Sequence, residues 1–465
     1  MKIFNLRNIF SLVLIFTFNF DVNAQNSTIE EVIVSAEKRD ESLQDISQAV
    51  SALTDSDLEN KNIESFVDLS AIVPGVTVSK NEGYKTVISM RGVGNETNQN
   101  AIAAPSVAFH IDGVFIASPF SLLTDFIDIE RIEVLRGPQG TLFGQNSTGG
   151  AINIISKKPT TDDYYGKADL TIGNYDLLKY RTSVNIPVNE KIATRFSFSS
   201  TKRDGFSENI VTGQDLDDAN NISLRSDWAI EISDSSSLRI FAQYFDIDRN
   251  GAAMRGIDDQ TSGIRNLAQD TISNQELTSK VFAAIYEQDL GYANLKIVAS
   301  SQEDDINVTR DNDRHNLGET VAAIPGLEGT TYIKAEFRPE TSLVETKTLE
   351  VNLISNDPIL NGKLDWVAGA FYMDHKIENH IKGYRDWDAN GEIKYVCDEP
   401  FANPNYCYTH NYNFPAALDV FSVGEFDFVT DAYPSRKSYS FYVFGPRGTS
   451  EKARVGSRAT VVPAA

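Results

Sequence analysis

The chain predicts a compact α+β unit over residues 41–159, followed by a transmembrane antiparallel β-barrel from 160 to 443. Three observations predict it. The amino terminus has the layout of a secretory signal. Two strand-like runs flank a dense cluster of glycines near residue 140. From Asp162 onward, apolar and polar residues alternate in segments of roughly ten residues separated by turns, as in strands that cross a membrane.

Lys2 and Arg7 precede an apolar stretch at 9–20, and Val22, Asn23 and Ala24 offer a small-residue cleavage site. That stretch is too short to cross a bilayer as a helix, so residues 1–24 read as a signal peptide. No second long apolar run follows, which excludes a helical membrane protein but leaves a barrel open. The formal net charge of −23 argues against nucleic acid and anionic lipid as partners. Cys397 and Cys407 are the two cysteines. Beyond a signal peptide the compartment is oxidising, so a disulfide closing a short loop is the expectation. Five scattered histidines without paired Cys/His spacing predict no zinc site.

Residues 25–40 form a polar leader with a β-prone island at Val32, Ile33 and Val34. So small an apolar patch cannot offset the entropy of folding; it either packs on something or awaits a partner. In the α+β unit, residues 53–58 supply helix-cap candidates. Ile63, Phe66, Val67 and Leu69 follow at helical spacing, and Pro74-Gly75 stops the helix. Short strands are expected at 76–79, 87–91, 107–111 and 113–116, then at 131–135 and 151–156. Gly137, Pro138, Gly140, Gly144, Gly149 and Gly150 crowd the connection between the last two, where turns and close backbone approach are needed.

The run from Ile127 to Pro159 closely resembles the end of the plug domain of TonB-dependent outer-membrane receptors. Arg136-Gly137-Pro138 matches that family's turn, and Gly149-Gly150-Ala151-Ile152-Asn153 its exit towards the barrel. Residues 88–94, with Arg91 and Gly92, and residues 109–116 resemble the same domain. The resemblance identifies Glu31, Val32, Ile33, Val34 and Ser35 as a TonB box. There a short strand on a leader adds to the sheet edge of the TonB energy-coupling protein. It also aligns Arg91 and Arg136 with plug arginines that latch onto barrel glutamates; a local pairing with Glu130 or Glu133 is the competing reading.

In the barrel region Ala168, Leu170 and Ile172 alternate with Lys167, Asp169 and Thr171. Tyr180, Thr182, Val184 and Ile186 do so in the next segment, and Ile192, Thr194, Phe196 and Phe198 in the one after. A soluble β-sandwich alternates too, but with strands nearer five or six residues. Short connections at 188–191 and 233–236 fit periplasmic turns. Long ones at 204–220, 248–277, 303–344 and 377–436 fit extracellular loops, the last carrying the cysteines. A plug of this size fills a barrel of about 22 strands, whereas about ten strand candidates are present. Residues 444–465 turn basic and lose the alternation, so they are expected to lie outside the barrel. Together these predict an incomplete or frame-shifted receptor, since an open half-barrel leaves edges that lipid does not tolerate.

No catalytic constellation is present. The glycines at 137–150 lack the Lys-Ser/Thr ending of a phosphate loop, and no nucleophile motif occurs. Asp386, Asp388 and Asn390 with Gly391 resemble half a calcium loop, but the twelfth position is Cys397 rather than Glu, so a plain acidic turn is expected. No metal and no cofactor is predicted. What the resemblance implies is active import across the outer membrane, within outer-membrane lipid, of a scarce ligand. A ferric siderophore comes first; cobalamin, haem, nickel and oligosaccharide remain open. A non-transporting fragment, and a secreted β-sheet enzyme or adhesin, are the alternatives from other classes.

Overall fold

The computed structural model describes residues 32–35, 38–39, 41–44, 46, 48–81, 83, 85–94, 105–118, 120–123, 126–140, 142–256, 259–311, 314, 336–357, 366–385, 426–429, 436–444 and 457–461. The signal segment, Glu31, the acidic turn at 386–393, Cys397 and Cys407 lie outside the described residues.

The inner unit is built on a five-stranded sheet, in the order Val50–Thr54, Ile129–Arg136, Gly150–Ser156, Val107–Ile111, Val114–Ile116. Its central strand, Gly150–Ser156, is buried along its whole length. It runs antiparallel to Ile129–Arg136 and parallel to Val107–Ile111. Burial on both faces explains why these strands read as nearly continuous apolar runs. Phe109, Ile132, Val134, Ile152 and Ile154 pack on one side with Phe66, Leu69 and Phe126. Ala108, Leu135 and Ala151 pack on the other with Phe115 and Phe143. Phe66 sits edge-on to Phe109 and Phe126, with ring centroids 5.3 and 4.9 Å apart.

The helix expected after residue 53 is Asp55–Asn60. Thr54 caps it by accepting from the Asp57 amide, while the Asp57 carboxylate accepts from the Thr54 amide. The later apolar positions form a separate turn, Phe66–Asp68 running into Leu69–Ile72, and Ile63 lies between the two helical pieces. Val76–Asn81 and Lys85–Met90 make an antiparallel hairpin. Arg91, expected in that second strand, instead occupies its closing turn with Gly92 and takes a positive φ of 52°.

The glycine-rich connection folds back on itself: Gly137 N donates to Gly149 O, Gln139 N to Ser147 O, and Gly149 N to Ser106 O. Pro138 sits exposed in this turn. At Gly150 a Cβ would lie 2.3 Å from Leu135 O and 2.4 Å from Met90 Sδ, so only glycine lets the strand enter the sheet there.

A second, twelve-stranded sheet runs from Tyr165–Gly173 to Ser457–Val461, antiparallel throughout and with neighbours in chain order for its first nine strands. Its alternation is inverted relative to a soluble sheet. Inward positions such as Asn185, Arg195, Asp227, Gln302, Thr346 and Asn352 are buried and polar, while Leu170, Ile172, Phe196, Leu224, Trp228 and Phe282 point out and are exposed. Water does not favour that arrangement; a wall with lipid outside and a polar plug inside does. A soluble sandwich is thereby set aside.

Three strands run longer than expected. Ala293–Asp311, Glu336–Ser355 and Val367–Arg385 have 19, 20 and 19 residues, taking up much of the predicted long connections. Ile306 and Val308 keep the alternation alive among charges, and pairing continues well beyond the length a bilayer requires. The connections at 204–218 and 250–273 meet in a small sheet of their own, Gln214–Leu216, Ser207–Asn209 and Asn266–Leu267. The tail expected outside the barrel is corrected in part. Ser457–Val461 pairs with Arg436–Phe444, because Arg458-Ala459-Thr460-Val461 alternates over a stretch too short and too basic to stand out.

Candidate functional site

The seam between inner unit and wall gathers the chain's buried charges. Asp128, in the turn before Ile129–Arg136, receives Arg195 of the wall through Nε–Oδ2 (2.5 Å) and Nη2–Oδ1 (2.8 Å), with Ser197 Oγ donating at 2.7 Å. Asp112, at the turn after Val107–Ile111, accepts from Arg225 Nη2 at 2.6 Å, Arg239 Nη1 at 3.2 Å and the Ser156 amide at 3.0 Å. Asp227 of the wall braces both arginines, and the Arg225 guanidinium lies 4.1 Å from the centre of the Phe241 ring. The register explains this cluster: Arg195 faces Asp227 across one strand pair, while Arg225 and Arg239 share the inward face. Burial would push the Asp112 carboxyl up, but Arg239, then Arg225, and the Ser156 amide outweigh it and hold it below the usual carboxylate range.

Further contacts continue the seam. Lys179 Nζ meets Glu64 Oε2 at 2.7 Å, Lys85 Nζ meets Glu340 Oε1 at 3.3 Å, and Ser121 Oγ donates to Asp304 at 2.8 Å. Asn185, fully buried on the inward face, accepts from Thr160 N at 3.0 Å and donates to Thr160 O and Asp163 O, both at 2.9 Å. It thereby fixes the segment joining the two units.

The predicted box residues Val32, Ile33, Val34 and Ser35 are not free in this structure. Ile33–Val34 pairs with Glu41–Ser42, and Val34 is fully buried beside Leu135 and Phe143. Ser35 N and Oγ donate to Glu133 Oε1 and Oε2 at 2.9 and 3.0 Å, and Asn153 Nδ2 donates to Ser35 Oγ at 3.2 Å. The island packs rather than waits, because a β-prone patch finds an apolar shelf and a buried carboxylate close by. Ile33 stays exposed. A cavity of about 700 Å³ opens beside Ser35, lined also by Lys38, Arg39, Arg131, Arg239 and Glu350. Lys38 Nζ reaches Glu350 of the wall at 3.0 Å. His110 lies behind, between the rings of Phe115 and Phe143. Burial drives its pKa down to about 3, with Lys38 adding to the effect and Glu350 opposing it.

Arg91 and Arg136 come together, but on the inner unit. Arg91 N donates to Gly75 O at 2.7 Å, and Arg136 Nη1 reaches Pro74 O at 3.4 Å. Glu130 and Glu133, their local candidates, are both held by Arg131. Among the described residues the ion pairs to the wall run through carboxylates and lysines of the inner unit instead. Asp112, Asp128, Arg195, Arg225 and Arg239 form the densest group of them, beside the pairs of Lys38, Lys85 and Lys179, and sequence reasoning assigned none of these five a role. A signal existed: charged residues at inward positions of neighbouring strands, where serine or asparagine would serve.

A family model described as the TonB-dependent receptor plug domain matches residues 42–151. The pesticin receptor of Yersinia pestis is 32% identical over 144 residues, 30% of this chain and 20% of that protein. The vitamin B12 transporter BtuB of Vibrio vulnificus is 28% identical over 186 residues, 40% of this chain and 30% of the transporter. The matches therefore span less than a third of these curated relatives. Among solved structures, Pseudomonas aeruginosa FpvA bound to a pyoverdine and iron superposes with a TM-score of 0.66 at 16% identity, covering 92% of this chain and 53% of FpvA. The siderophore receptor PiuA of Acinetobacter baumannii gives 0.62 at 15% identity, covering 92% and 62%. At such identities these likenesses establish the fold.

Proposed function

We propose that the chain is a TonB-dependent outer-membrane receptor, with that family's plug domain set in part of a β-barrel wall, and that it serves energy-coupled import of a scarce ligand. The reading assigns transport and no catalysis. A ferric siderophore is the first candidate, since PiuA and pyoverdine-bound FpvA are among the similar proteins; the B12 transporter keeps cobalamin in view.

One observation supports the reading above the others. The segment Val32–Ser35 is pinned through Ser35 to Glu133, on a strand of the plug sheet, while charged side chains hold the plug to the wall without a covalent bond. An incoming strand of TonB that pairs with this segment gains backbone hydrogen bonds. Force applied there reaches the plug through Glu133 and the chain itself. By the family resemblance Arg91 and Arg136, on one face of the plug beside Pro74, would serve as a latch onto barrel glutamates.

Ile33→Pro tests the reading, because proline has no amide hydrogen to offer a paired strand. Uptake of ferric siderophores and cobalamin by cells carrying the variant should stop while ligand binding persists; uptake at the parental rate overturns the proposal. A second reading, a receptor fragment that does not transport, is favoured by the wall's order, which does not return to Tyr165–Gly173 among the described residues. Ligand binding without uptake by the unaltered chain would select it.

A further inference from the structure

We infer that Arg195, Arg225 and Arg239 form a carboxylate-binding strip on the wall, filled by Asp128 and Asp112 while the plug is seated and open to a carboxylate-bearing ligand when the plug moves. The inference rests on the import reading and extends it from the plug to the surface the plug would uncover.

The charge sorting is the first ground. In a chain of net charge −23, cations collect on the wall strands from Tyr165 to Arg249 and face plug carboxylates. Lys179 meets Glu64, Arg195 meets Asp128, and Arg225 and Arg239 meet Asp112. Withdrawal of the plug leaves Arg225 and Arg239 sharing Asp227, with Glu287, already paired to Lys296, acting on Arg239 from further off, and it takes from Arg195 its Asp128. Positive charge is then in surplus on a surface that tolerates little of it unpaired.

Unused donors are the second ground. Arg195 Nη1 and Arg225 Nε have no hydrogen-bond partner even with the plug seated, although both side chains are only 3% exposed. Geometry is the third. Arg195 already engages both oxygens of Asp128, the forked arrangement in which a guanidinium matches a carboxylate. Phe241 beneath Arg225 and Asp227 beside Arg239 keep the other two in place without the plug's help. A pre-arranged socket of this kind does not have to be rebuilt when one carboxylate replaces another.

Both plug residues have positive φ, 53° at Asp112 and at Asp128, so glycine fits each backbone and leaves a vacancy the size of the lost side chain. Acetate matches that vacancy. In the full chain carrying Asp112→Gly and Asp128→Gly, amide exchange in Val107–Ile111 should quicken. Acetate should slow it again by about tenfold relative to chloride at equal ionic strength, with acetamide inert. Adding Arg195→Gln, Arg225→Gln and Arg239→Gln should remove the acetate effect. Acetate no better than chloride, or rescue that survives loss of the arginines, overturns the strip. If the double variant fails to fold, Asp128→Gly alone poses the same question at Arg195. No transport enters this measurement, so failed rescue beside normal import sinks only the strip. Rescue beside import that is indifferent to Ile33→Pro sinks only the coupling.

Discussion

Asp112 of the plug and Arg225 of the wall meet at 2.6 Å although 113 residues separate them in the chain. Each side chain is nearly excluded from water, so removing one partner leaves the other charge poorly compensated. A double-mutant cycle on Asp112→Asn and Arg225→Gln should return a coupling energy of about 2 kcal/mol or more. Hydrogen exchange in Val107–Ile111 reads it; strictly additive single effects would show that the pair holds nothing.

His110 makes the plug acid-sensitive. Its pKa falls from 6.5 in the unfolded chain to about 3 in the folded one. Between those values the unfolded chain takes up a proton that the folded chain refuses, so stability declines as pH drops. The slope approaches 1.4 kcal/mol per pH unit, roughly, below the upper value. Denaturation of the plug followed from pH 6 to 4 should come close to this slope, and His110→Gln should flatten it. Asp112 acts in the opposite part of the scale. Its lowered pKa keeps its contribution intact above the ordinary aspartate value and removes it only in stronger acid.

Gly150→Ala places a methyl group against Leu135 O and Met90 Sδ, neither of which lies at the loose end of a surface chain. The strand must shift or the hairpin behind it must open, a cost of about 2 kcal/mol or more. Gly92→Ala provides the comparison, since that position shares the positive φ, at 77°, but meets no neighbouring atom, so it reports the backbone strain without the close approach. Equal melting temperatures for the two variants would mean that the close approach at Gly150 is not needed.

Phe196→Arg tests which way the wall faces. Phe196 points outward midway along Ile192–Arg203, next to Trp228 on the neighbouring strand at 6.2 Å. A cation there should destabilise the folded chain in liposomes by about 2–4 kcal/mol if the site lies near the bilayer midplane. A change within a few tenths of a kcal/mol in urea titrations would place water, not lipid, outside.

The plug was legible because glycine turns and doubly buried strands leave strong local marks. Gly137, Pro138 and Gly149 lie in the connection between the two strands, whereas Gly150 opens the central strand rather than sitting in a turn, and the strands expected at 107–111 and 151–156 form within a residue of those bounds. The wall was legible from its period, though not its strand ends, since Ile306 and Val308 continue an alternation that charged neighbours disguise. The seam was hidden for a physical reason. Asp112 and Arg225 belong to different units, and nothing local to either says that the other lies opposite. Single-residue reasoning stopped at Arg91 and Arg136, which the structure brings together on the plug rather than against the described wall.

Asn185 limits how far the plug can move against the wall. It accepts from the Thr160 amide and donates to the Thr160 carbonyl, four residues beyond the end of the central plug strand at Ser156. Four fully stretched residues reach at most about 14 Å. On the import reading the plug is therefore held close to the wall at its far end, and a pull would move its leading end. Whatever gap forms must come from the domain swinging or fraying about that anchor, and not from its expulsion.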